Sequence, residues 1–321
     1  YNAAGGYGSL ALPFQCFVHA RRPSGQGIAS VEGYESLRAD GLIAARAVSS
    51  RSTPGSYFDR NLVLNQAAAG VVRLDWSNGA PLLLVEGASA NVVRNPRGEG
   101  AVAGTVGGGG ALPANWGRYA TGGLACDVVG FGYENGIPYC DIRWYGATTA
   151  TAAATFFPEP SAQIAAAAGQ VWTVSCFVRL VAGTLGAPIA RTINAIEYNA
   201  AGNYLIGTGV ALSPGAAGLA TQRPSYTRTL TNAATACVGM TLAFSYPAGV
   251  AVDFTLRIGA PQIEQAAAAS SVMLPPRGSP GVAARSGETI TIPATLPGGY
   301  GIGAIEYASL AMVQGQVTDA D

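Results

Sequence analysis

The chain contains no lysine and a single histidine, His19. All 18 basic residues are therefore arginine, matched by 18 acidic residues for a formal net charge of zero. That balance excludes a basic nucleic-acid groove and a polybasic membrane patch. One histidine cannot build a multi-histidine metal centre. In Phe17-Val18-His19-Ala20 no neighbouring carboxylate orients it as a base, so a structural or solvent-exposed role is preferred. No GxSxG elbow, P-loop or HExxH helix is present, and no catalytic or metal-binding residue is assigned. The cysteines Cys16, Cys126, Cys140, Cys176 and Cys237 are odd in number and widely spaced, without a CxxC pair. They suit neither a disulfide framework nor a zinc site and read as buried free thiols. No apolar run approaches the ~18 residues of a membrane helix, so a soluble protein without membrane insertion is expected. The opening Tyr1-Asn2-Ala3-Ala4-Gly5-Gly6 lacks an initiator methionine and any basic segment leading into an apolar one. It is not a signal peptide, and the chain reads as a fragment of something longer.

Charge is scarce, 11% of residues against about 25% in an average soluble domain, whereas 44 of 321 residues are glycine. Short apolar segments divided by Gly, Pro, Asn and Ser recur from end to end, the pattern of an all-β sandwich or barrel. Helix is expected only as short turns near 163–169 and 265–269. The glycine run Gly107 to Gly110 reads as a flexible loop, because no lysine or helix follows to make a phosphate cradle.

Period-two alternation assigns faces to the longest strands. Along Tyr139 to Tyr145, the apolar face carries Cys140, Ile142 and Trp144, and the other carries Tyr139, Asp141, Arg143 and Tyr145. Along Val171 to Leu180, Trp172, Val174, Cys176, Val178 and Leu180 point inward, opposite Thr173, Ser175, Phe177 and Arg179. Val252, Phe254, Leu256 and Ile258 are the inward set of a third strand, with Asp253, Thr255 and Arg257 outward. Ile193 to Leu205 reads as a hairpin turning at Asn199 to Asn203, and Tyr226–Leu230 and Val238–Phe244 add two more strands. Trp144 and Trp172 fall on core faces, and Trp76 suits hairpin packing. Two short echoes, Tyr1–Tyr7 with Tyr198–Tyr204 and Ala304–Tyr307 with Ala195–Tyr198, are of the length coincidence produces in an Ala/Gly-rich chain, so a tandem-module reading stays secondary.

A set of motifs carries a family resemblance. Tyr57-Phe58-Asp59, then Ala68-Ala69-Gly70-Val71-Val72-Arg73-Leu74-Asp75, then Leu82-Leu83-Leu84-Val85-Glu86-Gly87 leading to Asn91 resembles a segment common in tail-fibre and spike proteins of bacteriophages and prophage-like particles, gene transfer agents included. Its usual form is YFD, "aAGVpRfD" and "LLiEgarTNLl". Val72 replaces the usual Pro, and Ser89-Ala90 the usual Arg-Thr. Glu134 to Tyr139 and Leu256 to Gln265 resemble the jelly roll that follows, so the likeness spans about residues 40 to 285. It implies a multi-domain fibrous virion protein, all-β, with a jelly-roll sandwich preceded by extended β-hairpins. The expected division is an arm or preceding module at 1–39, a hairpin connector at 40–81, a carbohydrate-binding-like jelly roll at 82–276, and a linker with the start of another β module at 277–321.

The resemblance further implies a virion surface location, other virion proteins as partners, a homotrimer, and attachment to host surface polysaccharide. No cofactor is expected, and structural calcium is left open. The ligand face is expected to be the outward polar face of the sheet, with Asp141, Arg143, Tyr145, Arg179 and Arg257, joined by loop residue Trp116 stacking on a sugar. The alternative for the sheet residues is cross-strand ion pairing at a subunit interface, and for the loop rings Trp116 and Tyr119, either of which could stack on a sugar, it is core or rim packing. Two other functions compete: a purely structural adaptor joining fibre to capsid or tail, and a polysaccharide depolymerase. The last needs two carboxylates about 5–9.5 Å apart, for which Asp127, Glu134, Asp141 and Asp253 are the candidates.

Overall fold

Strands alternating apolar and polar residues can bury only one face each, so they must stack in layers around a shared core. A computed structural model of the chain describes residues 48–79 and 82–291, with short strand pieces at Ala20–Arg21, Thr295–Leu296, Tyr300–Ile302, Ala311–Val313 and Gln316–Thr318. Cys16, His19 and the echo segments 1–7 and 304–307 lie outside the described residues. The chain forms two units, one of residues up to Ala88 and from Arg285 onward, the other of Ser89–Ala284.

In the first unit Gly55–Phe58 pairs antiparallel with Leu64–Ala67, and Leu74–Asp75 with Leu82–Leu83. The turn after Phe58 closes on Asp59, whose Oδ1 accepts the Asn61 and Val63 N–H groups at 2.9 and 3.0 Å. Asp75 Oδ1 accepts the Phe58 N–H at 2.7 Å, tying the two hairpins together. The centre of this unit is ionic. Fully buried Arg73 donates to Ser56 O at 3.0 Å and Glu86 Oε2 at 2.9 Å, and pairs with buried Glu288. Arg285 reaches Glu86 at 3.0 Å, Arg51 lies 3.5 Å from Glu288, and Ser49 donates to Glu288 at 2.7 Å. Arg73, Asp75 and Glu86, three letters of the recognised motif, are thus scaffold residues.

The second unit is a two-sheet sandwich of twelve strands: β1 (Gly104–Thr105), β2 (Gly117–Ala120), β3 (Ala125–Glu134), β4 (Ile137–Ala147), β5 (Ala152–Phe157), β6 (Ile164–Ala165), β7 (Val171–Thr184), β8 (Ala190–Tyr198), β9 (Tyr204–Ala211), β10 (Ser225–Thr229), β11 (Cys237–Tyr246) and β12 (Ala251–Glu264). Sheet I has the order β10-β7-β12-β4-β3-β1, sheet II the order β9-β8-β11-β5-β2, and β6 pairs with β11. All these pairings are antiparallel. Between β4 and β12 the chain crosses repeatedly from one sheet to the other, setting β10-β7-β12-β4 opposite β9-β8-β11-β5. Two such four-stranded sheets with these crossings are a jelly roll.

The expected inward residues form the core. Cys140, Ile142, Trp144, Val174, Cys176, Phe254, Leu256 and Ile258 are all buried, and Trp144 stacks on Phe254 with ring centroids 5.5 Å apart. Each such side chain contributes roughly 1.5–3 kcal/mol by leaving water. The Asn199–Asn203 turn also forms, with Asn199 Oδ1 accepting the Ala201 and Asn203 N–H groups, each at 3.0 Å.

Two expectations need correction. Neither short helix exists: Ile164–Ala165 is strand, paired with Cys237 and Val238, and 265–268 is a bend. Leu219–Thr221, a single 3-10 turn, is the helical element among the described residues. The second face of β7 is not open, because Thr173, Ser175 and Phe177 are buried too. The segment after β12 folds across them: Thr173 donates to Ala266 O at 2.7 Å, and Arg223 reaches Ser175 Oγ, Ser270 O and the Phe177 ring. The glycine run is a loop, as expected, and closes as a tight turn in which Gly108 and Gly110 donate to Thr105 O at 2.8 and 2.9 Å.

Candidate functional site

Sheet I brings together five of the six residues expected to bind glycan. Adjacent β4 and β12 place Asp141 opposite Arg257 and Tyr145 opposite Asp253, while β7 sets Arg179 opposite Arg257. The charges are already matched within the chain. Arg257 grips Asp141 with two bonds of 2.8 Å and Glu134 with one of 2.6 Å, and its guanidinium lies 3.6 Å from the Tyr139 ring centroid. Arg179 pairs with Glu134 at 3.1 Å. Arg143 grips Asp253 at 2.7 and 2.8 Å and covers the Tyr145 ring, whose hydroxyl donates to Asp127 at 3.2 Å. Asp141 is buried, with both oxygens taken by Arg257.

The electrostatics follow from these pairs. Burial works against the charge of Glu134, but the Leu219 N–H, Arg257 and Arg179 together hold its carboxyl below the ordinary range. The Arg143 hydrogen bonds do the same for Asp253. A glycosidase acid needs a raised value so that it keeps its proton at neutral pH. These two carboxyls are shifted the opposite way, and both Asp141 oxygens are occupied by Arg257.

Trp116, the sixth expected residue, is elsewhere. It is 7% exposed, packs edge-on against Phe156 at 5.0 Å, and donates its indole N–H to Asn95 O at 2.9 Å. Its loop folds inward because the apolar ring gains burial while the N–H finds a carbonyl. No ring face is left for a sugar.

An aromatic surface lies instead on the outer face of sheet II. Ile193, Ala195 and Glu197 of β8 point to the core, so Thr192, Asn194, Ile196 and Tyr198 point away from it. Register carries this face sideways. Tyr198 stands opposite Tyr204, Asn194 opposite Thr241, and Tyr119 opposite Thr155. Tyr119 and Tyr204 are 58% and 64% exposed, and Tyr119 leans on Phe157 with centroids 5.3 Å apart. Tyr198 stands beside Tyr204 in the register, and burial, with the Tyr204 and Tyr119 phenols, pushes its own phenol up to about 12. Among the described residues, none of these three hydroxyls hydrogen-bonds within the protein, whereas Tyr145, Tyr226 and Tyr246 each do.

Glycines let the rings lie down. A Cβ on Gly239 would come within 2.9 Å of the Tyr198 ring, and one on Gly117 within 2.0 Å of the Phe157 ring. Glycine inside a strand weakens it and often marks a place where something approaches the backbone closely. Around these rings lie Ile196, which covers Gly207, and hydroxyl and amide groups, with Asn194 donating to Thr241 at 3.0 Å. Of this surface the sequence offered Tyr119 alone as a ring that could stack on a sugar, because Tyr119, Tyr198 and Tyr204 sit on three strands. The available signal was the placement of glycines in alternating strands, at 117, 207, 209 and 239.

Among the described residues no group of three or more His, Cys, Asp or Glu side chains is placed to hold a metal ion. No family model and no curated protein matches the chain. Among solved structures it is similar to the enzymatically active domain of tailspike protein 4 of bacteriophage CBA120, at 14% identity and a TM-score of 0.31, over 47% of this chain and 19% of that one. This chain therefore spans less than a fifth of that domain's length. It is also similar to the CBM22-1 xylan-binding domain of Paenibacillus barcinonensis Xyn10C, at 14% identity and a TM-score of 0.28, over 56% of this chain and 94% of that one. A family 29 carbohydrate-binding module from Piromyces equi aligns at 8% identity and a TM-score of 0.27, over 56% of this chain and 91% of that one.

Proposed function

We propose that the chain belongs to a virion appendage, a fibre or spike, whose jelly roll attaches to host surface polysaccharide without cleaving it, and that the glycan lies on the outer face of sheet II. The observation that carries the site is the tyrosine group Tyr119, Tyr198 and Tyr204, with hydroxyls unused by the protein, over a floor of glycine, threonine and asparagine. Pyranose rings present an apolar face that stacks on phenol and a rim of hydroxyls that pairs with Tyr, Thr and Asn groups. Sheet I is the poorer candidate, because a sugar there would have to break ion pairs already made. The fibre and spike motifs around Arg73, Asp75, Glu86 and Asn91 support the virion setting, and with it virion partners and a homotrimer.

The test is binding to a glycan array by the intact protein and by two variants. Tyr119→Ala and Tyr204→Ala should each weaken binding about tenfold, equivalent to ~1.4 kcal/mol, with unchanged assembly and no loss of polysaccharide viscosity. Full binding by both variants would remove this face from consideration.

A further inference from the structure

Resting on that reading, we propose that the sheet II face selects an uncharged polysaccharide, one without uronate, sulfate or phosphate groups. The strands of sheet II hold only three charged residues, Arg118, Arg191 and Glu197. All three are on the opposite side from the tyrosines, since Arg118 pairs with Phe156, Arg191 with Phe244 and Glu197 with Val238, each partner a core residue. Arg118 is further tied to Val106 O at 3.1 Å, and Glu197 is fully buried against Arg228 at 2.6 Å. The face itself offers phenols, hydroxyls, one amide and the apolar side chains of Ile196 and Phe157, with Gly207, Gly239 and Gly117 lying under Ile196, Tyr198 and Phe157. An anionic sugar laid on it would lose water around its charge and meet no guanidinium in return, an unfavourable exchange. A neutral hexose or pentose loses only hydroxyl hydration, which the phenols of Tyr119, Tyr198 and Tyr204 and the Asn194–Thr241 pair can replace. The raised phenol of Tyr198 keeps that group an O–H donor well into alkaline solution. Arginine, the residue that recognises acidic sugars by bidentate pairing, is plentiful in this protein, but on sheet I it is spent on Glu134, Asp141 and Asp253.

The experiment is affinity electrophoresis of the whole chain through gels containing neutral polysaccharides (mixed-linkage glucan, galactomannan, unsubstituted xylan) or acidic ones (alginate, polygalacturonate, chondroitin sulfate). Tyr119→Ala, Tyr204→Ala and the ring-preserving Tyr119→Phe and Tyr204→Phe run alongside. Expected is retardation by at least one neutral polymer, changing less than about twofold between roughly 0.05 and 0.5 M salt. It should be weakened about tenfold by the Ala variants and less by the Phe variants. Preference for an acidic polymer, lost in the tyrosine variants, would overturn the neutral-ligand inference while leaving the face as the glycan site. Retardation that the Ala variants leave unchanged, or none in any gel, would overturn the glycan-face reading and this inference together.

Discussion

Tyr198 and Phe157 rest on strands where Gly239 and Gly117 present no Cβ, so two aromatic rings occupy space that any other residue would fill. The same steric logic runs in reverse for the cysteines. Cys126, Cys140, Cys176 and Cys237 are free and buried, and burial pushes the thiols of Cys126 and Cys140 up to about 12 and raises those of Cys176 and Cys237 as well. A thiol whose ionisation is disfavoured and which is shielded from solvent reacts slowly. Mass mapping after brief treatment of the native protein with a thiol reagent should find these four unmodified. Rapid labelling at Cys140 or Cys176, or a disulfide between them, would contradict the packing.

At the scale of strands, the two sheets are joined through the core by a charge pair. Arg228 on β10 reaches Glu197 on β8 at 2.6 Å, and Glu197 also accepts the backbone N–H groups of Thr231 and Asn232 and the Thr235 hydroxyl. Burial alone would raise the Glu197 carboxyl; the Thr235 hydroxyl, the two N–H groups and Arg228 outweigh it and hold it below the ordinary range. Breaking one side of a buried pair typically costs ~3–5 kcal/mol, and Glu197→Ala should destabilise the sandwich by about that much at pH 7. The sign with pH follows from the lowered value. Stability from this group is complete above the unfolded carboxyl value near ~4.3 and is lost as pH falls through the folded one. Glu134, Asp253 and Asp59 shift in the same direction. Urea midpoints should therefore be flat near neutrality and fall below about pH 5, with a shallower fall in Glu197→Gln.

At the scale of the molecule, chain segments far apart in sequence meet in each unit. Glu288 completes the cluster around Arg73 from 215 positions away. Asn91 is wholly buried, donates to Pro261 O and Met273 O at 3.1 and 3.2 Å, and accepts the Val93 and Ile263 N–H groups at 3.1 Å each. Removing Glu288 would strand buried arginine charge, so Glu288→Ala should cost the first unit ~3–5 kcal/mol. Hydrogen exchange should show it as lost protection across Gly55–Asp75, with protection kept in β4 and β12. Equal loss in both units, or none, would contradict a cluster local to the first.

The amino-acid sequence by itself determined the all-β class, the inward residues of β4 and β12 and the Asn199 hairpin. Those features depend on local alternation, turn chemistry and composition, which are properties of neighbouring residues. It located Asp141, Arg143, Tyr145, Arg179 and Arg257 on one face correctly, but whether such groups stay open to a ligand depends on what stands across the strand. Only the tertiary structure decided that Arg257 is spent on Asp141 and Glu134, that the bend after β12 covers Thr173 and Ser175, and that Trp116 turns inward to Asn95. The tyrosine face was decided there as well. Tyr198 and Tyr204 face each other across the Asn199 hairpin that the sequence shows, but Tyr119 joins their face only once strand order places β2 in the same sheet, and no spacing along the chain encodes that order.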